Sequence, residues 1–228
     1  NVAAKDYESI YEYLVEYYSK KNDKVNMDLM LEKGKKLYPV NAYWTNIQLK
    51  ELADKKDTVA LYAKYDEMLA KNPKNFDLAY GYAAEIYNSI LKRDSRDADV
   101  LVKSEKLQEL LKMAIAADTG IDATLLMVNH LFNKAADLLN ASNLTKGNKP
   151  EDVKKKNELK AQSIQLMDKT IPYAEAAVKY YEGLPKLTPF NKANYKIMLS
   201  HLAEMYGVKN DAKKAAEYNA KDKAADKM

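Results

Sequence analysis

Apolar residues recur along this chain in steps of three and four. Tyr11, Leu14, Val15 and Tyr18 form one such stripe, and Leu61, Tyr65, Met68 and Leu69 form another. Leu78, Ala79, Tyr82, Ala83 and Ile86 continue the pattern, as do Leu101, Leu107, Leu110, Leu111 and Ile115. Leu125, Val128, Phe132, Ala135, Ala136 and Leu139 make a fifth stripe, and Ile164, Met167, Ile171, Ala174, Val178 and Tyr181 a sixth. That spacing is the period of an amphipathic α-helix, whose neighbouring turns place i, i+3, i+4 and i+7 on one face. The punctuation predicts helices over 4–21, 25–37, 42–55, 58–71, 75–90, 100–117, 123–142, 151–182, 189–206 and 210–226. Asp57 is a natural N-cap for the helix opening at Thr58, since its carboxylate accepts from free amides of the first turn. A polar insertion at 92–97, a glycine stop at Asp118-Thr119-Gly120 and a separator at Gly207 are expected between helices. Pro172 falls inside the longest helix and predicts a kink, because it removes one backbone donor while the apolar seam continues on both sides.

The helices fall into pairs at a fixed interval. Pro39 and Pro73, each just beyond a helix end, stand 34 residues apart, the length of a helix–turn–helix repeat. Leu125-Leu126-Met127-Val128-Asn129-His130-Leu131-Phe132 resembles the first helix of a tetratricopeptide repeat. Asn129, Val15 and Leu49 depart from the small residue usual at the close-approach position, and Ala83 fits it. Leu31-Glu32-Lys33-Gly34-Lys35-Lys36-Leu37-Tyr38-Pro39, Ile171-Pro172-Tyr173 and Leu199–Gly207 resemble the C-terminal half of long bacterial tetratricopeptide proteins. The resemblance implies an all-α fold, a right-handed superhelix (α-solenoid) of about five antiparallel helix pairs. One repeat domain is expected over 1–228, with units at 4–41, 42–75, 76–121, 122–187 and 188–228. Export signals are common in that family, so the resemblance also implies a cell-envelope location.

Composition narrows the chemistry. Cysteine is absent, which removes disulfides, thiolate metal sites and cysteine nucleophiles together. The net charge of +4 arises from 37 basic and 33 acidic residues with interspersed signs, so no nucleic-acid partner is expected. The basic stretch Lys146–Lys156 lacks the interleaved aromatics that stack on bases and reads as a solvated loop and helix start. No apolar run is long enough to span a membrane. Tyrosine, at 18 residues against 3 Phe and 1 Trp, suits positions with a buried ring and a hydroxyl reaching water. The histidines, His130 and His201, do not have the spacing of a metal-binding helix pair, and no phosphate loop or nucleophile elbow is visible. No cofactor or metal is expected, and Glu8, Glu12 and Glu16 read as a solvated helix face rather than an acid/base pair.

The expected role is therefore a non-catalytic scaffold for a protein or peptide. Stacked helix pairs present a concave surface formed by the first helix of each unit. By repeat offset its lining is Tyr43, Asn46 and Lys50, then Tyr80, Ala84, Tyr87 and Asn88, then Leu126, His130 and Asn133. Asn46 and Lys50 reproduce only part of the family's carboxylate-binding pattern. A small-ligand or glycan-binding envelope protein is the alternative, since tyrosine faces and amides also suit sugars. An open groove favours the peptide, and a compact pocket closed by the long fourth unit favours the small ligand. The pattern carries no signal for an oligomeric state.

Overall fold

The computed structural model describes residues 8–39, 41–92, 97–117 and 120–226. They are all-α, with ten helices and no strand among the described residues. The predicted start at residues 4–7, most of the polar insertion, and Asp118 and Thr119 of the glycine stop lie outside them. The chain divides into two compact units, Asn1–Lys71 and Asn72–Met228. In each, every odd-numbered helix packs against the even-numbered helix that follows it.

The first unit holds α1 (Glu8–Lys20), α2 (Lys24–Leu37), α3 (Ala42–Asp54) and α4 (Thr58–Lys71). Its inner cluster is Val15, Leu31 and Trp44, with Tyr11, Met27, Met30, Tyr43 and Ile47 packed around it. Gly34 is what admits the indole. A Cβ built there would lie 2.4 Å from the Trp44 ring, inside any van der Waals contact. Trp44 is 2% exposed, and its indole N–H donates to the Tyr38 carbonyl at 3.1 Å, so the buried polar edge is satisfied.

One turn recurs within the pairs. Asn22 and Lys56 take left-handed φ values of 56°, and Asp23 and Asp57 directly follow them. Asp23 accepts from the Asn26 amide, and Asp57 from the Ala60 amide. The second unit repeats the device at Asn210, with φ 61°, and at Asp211, which accepts from the Lys214 amide. The left-handed residue reverses the chain and the aspartate caps the returning helix. This corrects the expected break at Gly207. Helix α9 continues through Gly207 to Val208, and Asn210 makes the turn. Asn can take the left-handed conformation because its short polar side chain bonds locally.

The second unit comprises α5 (Phe76–Leu91), α6 (Asp97–Ala117), α7 (Asp122–Leu144), α8 (Pro150–Glu182), α9 (Pro189–Val208) and α10 (Ala212–Ala225). Leu78, Ala79, Tyr82, Ala83 and Ile86 of α5 are buried, as their spacing predicts. Helix α8 runs unbroken through Pro172, and Met167, Ile171, Ala174, Val178 and Tyr181 are buried along its seam. Two serines fasten α8 to α7. Ser163 Oγ donates to the Ala135 carbonyl at 2.7 Å, and Ser142 Oγ donates to the Lys156 carbonyl at 2.8 Å. The lysine-rich α10 buries only Tyr218 and Ala225, but a polar clasp supplements them. Glu175 of α8 accepts from the hydroxyls of Tyr206 at 2.8 Å and Tyr218 at 3.1 Å, and the two rings stack 5.7 Å apart.

Candidate functional site

The second unit carries a groove of about 520 Å³ walled by α5, α6 and α7 and open on one side. Its apolar wall is Ile90 and Leu91 at the end of α5 with Val100 and Leu101 at the start of α6. Leu91 and Leu101 are 54% and 55% exposed, so the wall faces solvent. The polar side is built mainly from α7: His130, Asn133, Lys134 and Asp137. These positions share one helix face because 130, 133, 134 and 137 lie three, four and seven residues apart. Tyr87 of α5 closes one side, and Asn133 Nδ2 donates to its hydroxyl at 3.4 Å. The Tyr87 and His130 rings meet edge to face at 6.4 Å.

At the floor, Ser104 of α6 is 1% exposed and His130 is 5% exposed. Ser104 Oγ lies 2.9 Å from His130 Nε2 and accepts from Lys134 Nζ at 3.2 Å. Burial pushes the His130 imidazole down to about 4, and the Lys134 ammonium adds to the effect. The ring is therefore neutral at pH 7, and its Nε2 meets a hydroxyl rather than a carboxylate. Burial also raises the Tyr87 phenol, opposed by the Asn133 hydrogen bond. An imidazole held this low is a weak base at neutral pH.

Three of the ten residues assigned by repeat offset, Tyr87, His130 and Asn133, meet in this groove. Tyr80 stacks on Phe76 at 5.4 Å along α5, with Ala84 half-buried and Asn88 exposed beyond it. Leu126 is half-buried on α7. In the first unit, Asn46 and Lys50 are exposed, whereas Tyr43 packs edge-on to Trp44 and donates to the Glu12 carbonyl at 3.2 Å. Repeat offset does not reach Ile90, Leu91, Val100, Leu101, Ser104, Lys134 or Asp137. The α6 members follow the polar insertion, which breaks the 34-residue count. Lys134 and Asp137 lie one and four residues beyond the last assigned position, where helical periodicity alone would reach them.

His201 stacks on Phe132 at 3.7 Å, and burial lowers its basicity too. Among the described residues no group of His, Asp and Glu is arranged to hold a metal ion, and no helix is long and apolar enough to cross a membrane. No protein-family model matches the chain, and no curated protein matches its sequence.

Proposed function

We propose that the chain is a non-catalytic scaffold of the tetratricopeptide kind that holds a peptide or protein partner on its first-helix surface, with the α5–α6–α7 groove as anchor point. The observation that carries this reading is the convergence of Tyr87, His130 and Asn133 from two first helices on one half-open groove with an exposed aliphatic wall. A tyrosine ring, an amide and exposed leucines are the components from which peptide anchors are built. The groove takes its lining from α5, α6 and α7 and none from the long α8, which favours a peptide over an enclosed small ligand or glycan. The 34-residue interval and the recurrent aspartate-capped turn support the tetratricopeptide assignment. The same resemblance supports a cell-envelope location, which fractionation of the source cells would test.

The experiment is photo-crosslinking in the native extract, with benzoylphenylalanine placed at the exposed positions Asn88 and Asn133 and, as control, at Lys112 on α6. A partner joined from Asn133 in the groove and from Asn88, next to the wall residue Tyr87 in the chain, and not from Lys112 is the expected result. Equal crosslinking from all three positions, or none from Asn88 and Asn133, would refute the reading.

A further inference from the structure

The lysines that tie the second unit together sit beside acidic groups. Lys196 pairs with Asp226, Lys209 with Asp168, and Lys221 with Glu182 at 3.0 Å. Lys134 differs. It is half-buried at the groove floor, its ammonium donates to the Ser104 hydroxyl, and no carboxylate of the described residues is paired with it. Asp137 lies one turn along α7 and lines the groove, but it is exposed and makes no ion pair with Lys134. The other ionisable group on the floor, His130, is neutral at pH 7, and an imidazole supplies no negative charge in either protonation state. A partly desolvated ammonium with one neutral partner retains two donors for an anion, and charge-assisted hydrogen bonds to a carboxylate are the strongest it can form. Leu91 and Leu101 line the same groove and present exposed aliphatic surface.

We infer that the groove docks an acidic, aliphatic peptide segment, a Glu or Asp side chain on Lys134 with a neighbouring Leu, Ile or Val side chain laid on Leu91 and Leu101. This rests on the scaffold reading above and specifies the chemistry of the partner. Charge complementarity carries the choice: the ammonium is the half-buried charge of the groove and is fixed on Ser104 beside the aliphatic side chains, whereas the Asp137 carboxylate is exposed and keeps its water, and a wholly apolar segment would bury the ammonium without compensation.

The probes are acetyl-Leu-Glu-Leu-amide, its Gln counterpart and its Lys counterpart, with both termini blocked so that only the central side chain changes charge. Each is titrated into the whole chain at low salt and followed by amide chemical shifts. The Glu peptide is expected to bind about tenfold or more tightly than the Gln peptide, the scale of one charge-assisted contact. Its shifts should centre on residues 87–91, 100–104 and 130–137. Lys134→Met should remove the preference while leaving the circular dichroism and thermal midpoint close to wild type, and Lys134→Arg should restore it. Equal binding of the Glu and Gln peptides, a preference that survives Lys134→Met, tighter binding of the Lys peptide, shifts confined to another face, or no binding of the Glu peptide would each overturn the inference. Leu101→Ser separates this failure from that of the scaffold reading. If it weakens the Gln peptide, and crosslinking at Asn133 still captures a partner, the groove binds peptide without the charge preference. If neither occurs, the scaffold reading fails with it.

Discussion

The buried His130 makes stability depend on pH in a calculable way. Its folded-state value is about 4 against an ordinary 6.5, and the side chain is 5% exposed, so solvent screening removes little of the effect. Because the folded value is depressed, the unfolded chain takes up the proton first as pH falls. Stability is thus fully present above 6.5 and is lost between 6.5 and about 4. Each tenfold difference in proton affinity between the two states is worth about 1.4 kcal/mol. The imidazole's contribution therefore falls by about 2 kcal/mol between pH 7 and pH 5, and by about 3 kcal/mol at most. Other groups titrate in the same window, His201 among them, so the measurement is a difference. Urea unfolding of wild type and His130→Gln, each at pH 7 and pH 5, should show the variant losing about 2 kcal/mol less on acidification. The variant's absolute stability does not matter to the comparison, since Gln does not titrate. Identical pH dependence in the two proteins would refute the assignment of a neutral, buried imidazole on Ser104.

The remaining predictions concern packing. Gly34→Ala should cost about 1–3 kcal/mol in a thermal melt, because its Cβ would meet the Trp44 ring at 2.4 Å, and a second change, Trp44→Leu, should reduce that penalty. Tyr82→Ala, at a ring 3% exposed, should cost on the order of 3 kcal/mol, whereas Tyr87→Ala should cost about 1 kcal/mol; a larger loss for Tyr87 would move that ring from the groove wall into the core. Tyr218→Phe should cost about 1 kcal/mol and accelerate hydrogen exchange in 212–225 without affecting α5–α7, since it removes one donor to Glu175. Unchanged exchange in α10 would show that the clasp does not hold it.

Helix identity is legible because one face of nearly every helix is buried, and burial writes its period into the sequence. The five buried positions of α5 and the seam of α8 are the plainest cases. The turns are harder to read. Glycine is the usual mark of a left-handed residue, yet Asn22, Lys56 and Asn210 make these turns, and Gly207 is helical with nothing within 4 Å of an added Cβ. The aspartate that follows each turn is the available signal, and of the three only Asp57 stands out as a cap from its local sequence. The site is legible in part. Periodicity tells which face of a helix is polar, but not which side chain of a neighbouring helix meets it. Repeat offset therefore puts His130 on an open surface, although it is buried against Ser104.

That burial bears on how the groove would hold a ligand. Leu126, His130, Asn133 and Asp137 form one stripe on α7, while Val128, Phe132 and Ala135 face the core on the other side. Ser163 and Ser142 join the α7–α8 pair through backbone carbonyl acceptors, so α7 is tied by directional bonds as well as by apolar contact. Ser104 in turn links α6 to α7 at the groove floor through His130 and Lys134. The Lys134 ammonium is thereby positioned before any ligand arrives, and less side-chain entropy is lost when an anion binds than would be lost by a free surface lysine. The same contact explains a neutral histidine in a site that we read as anion-binding. A second cation beside Lys134 would repel it, whereas a neutral ring can hold Ser104, and through it the ammonium, without adding like charge.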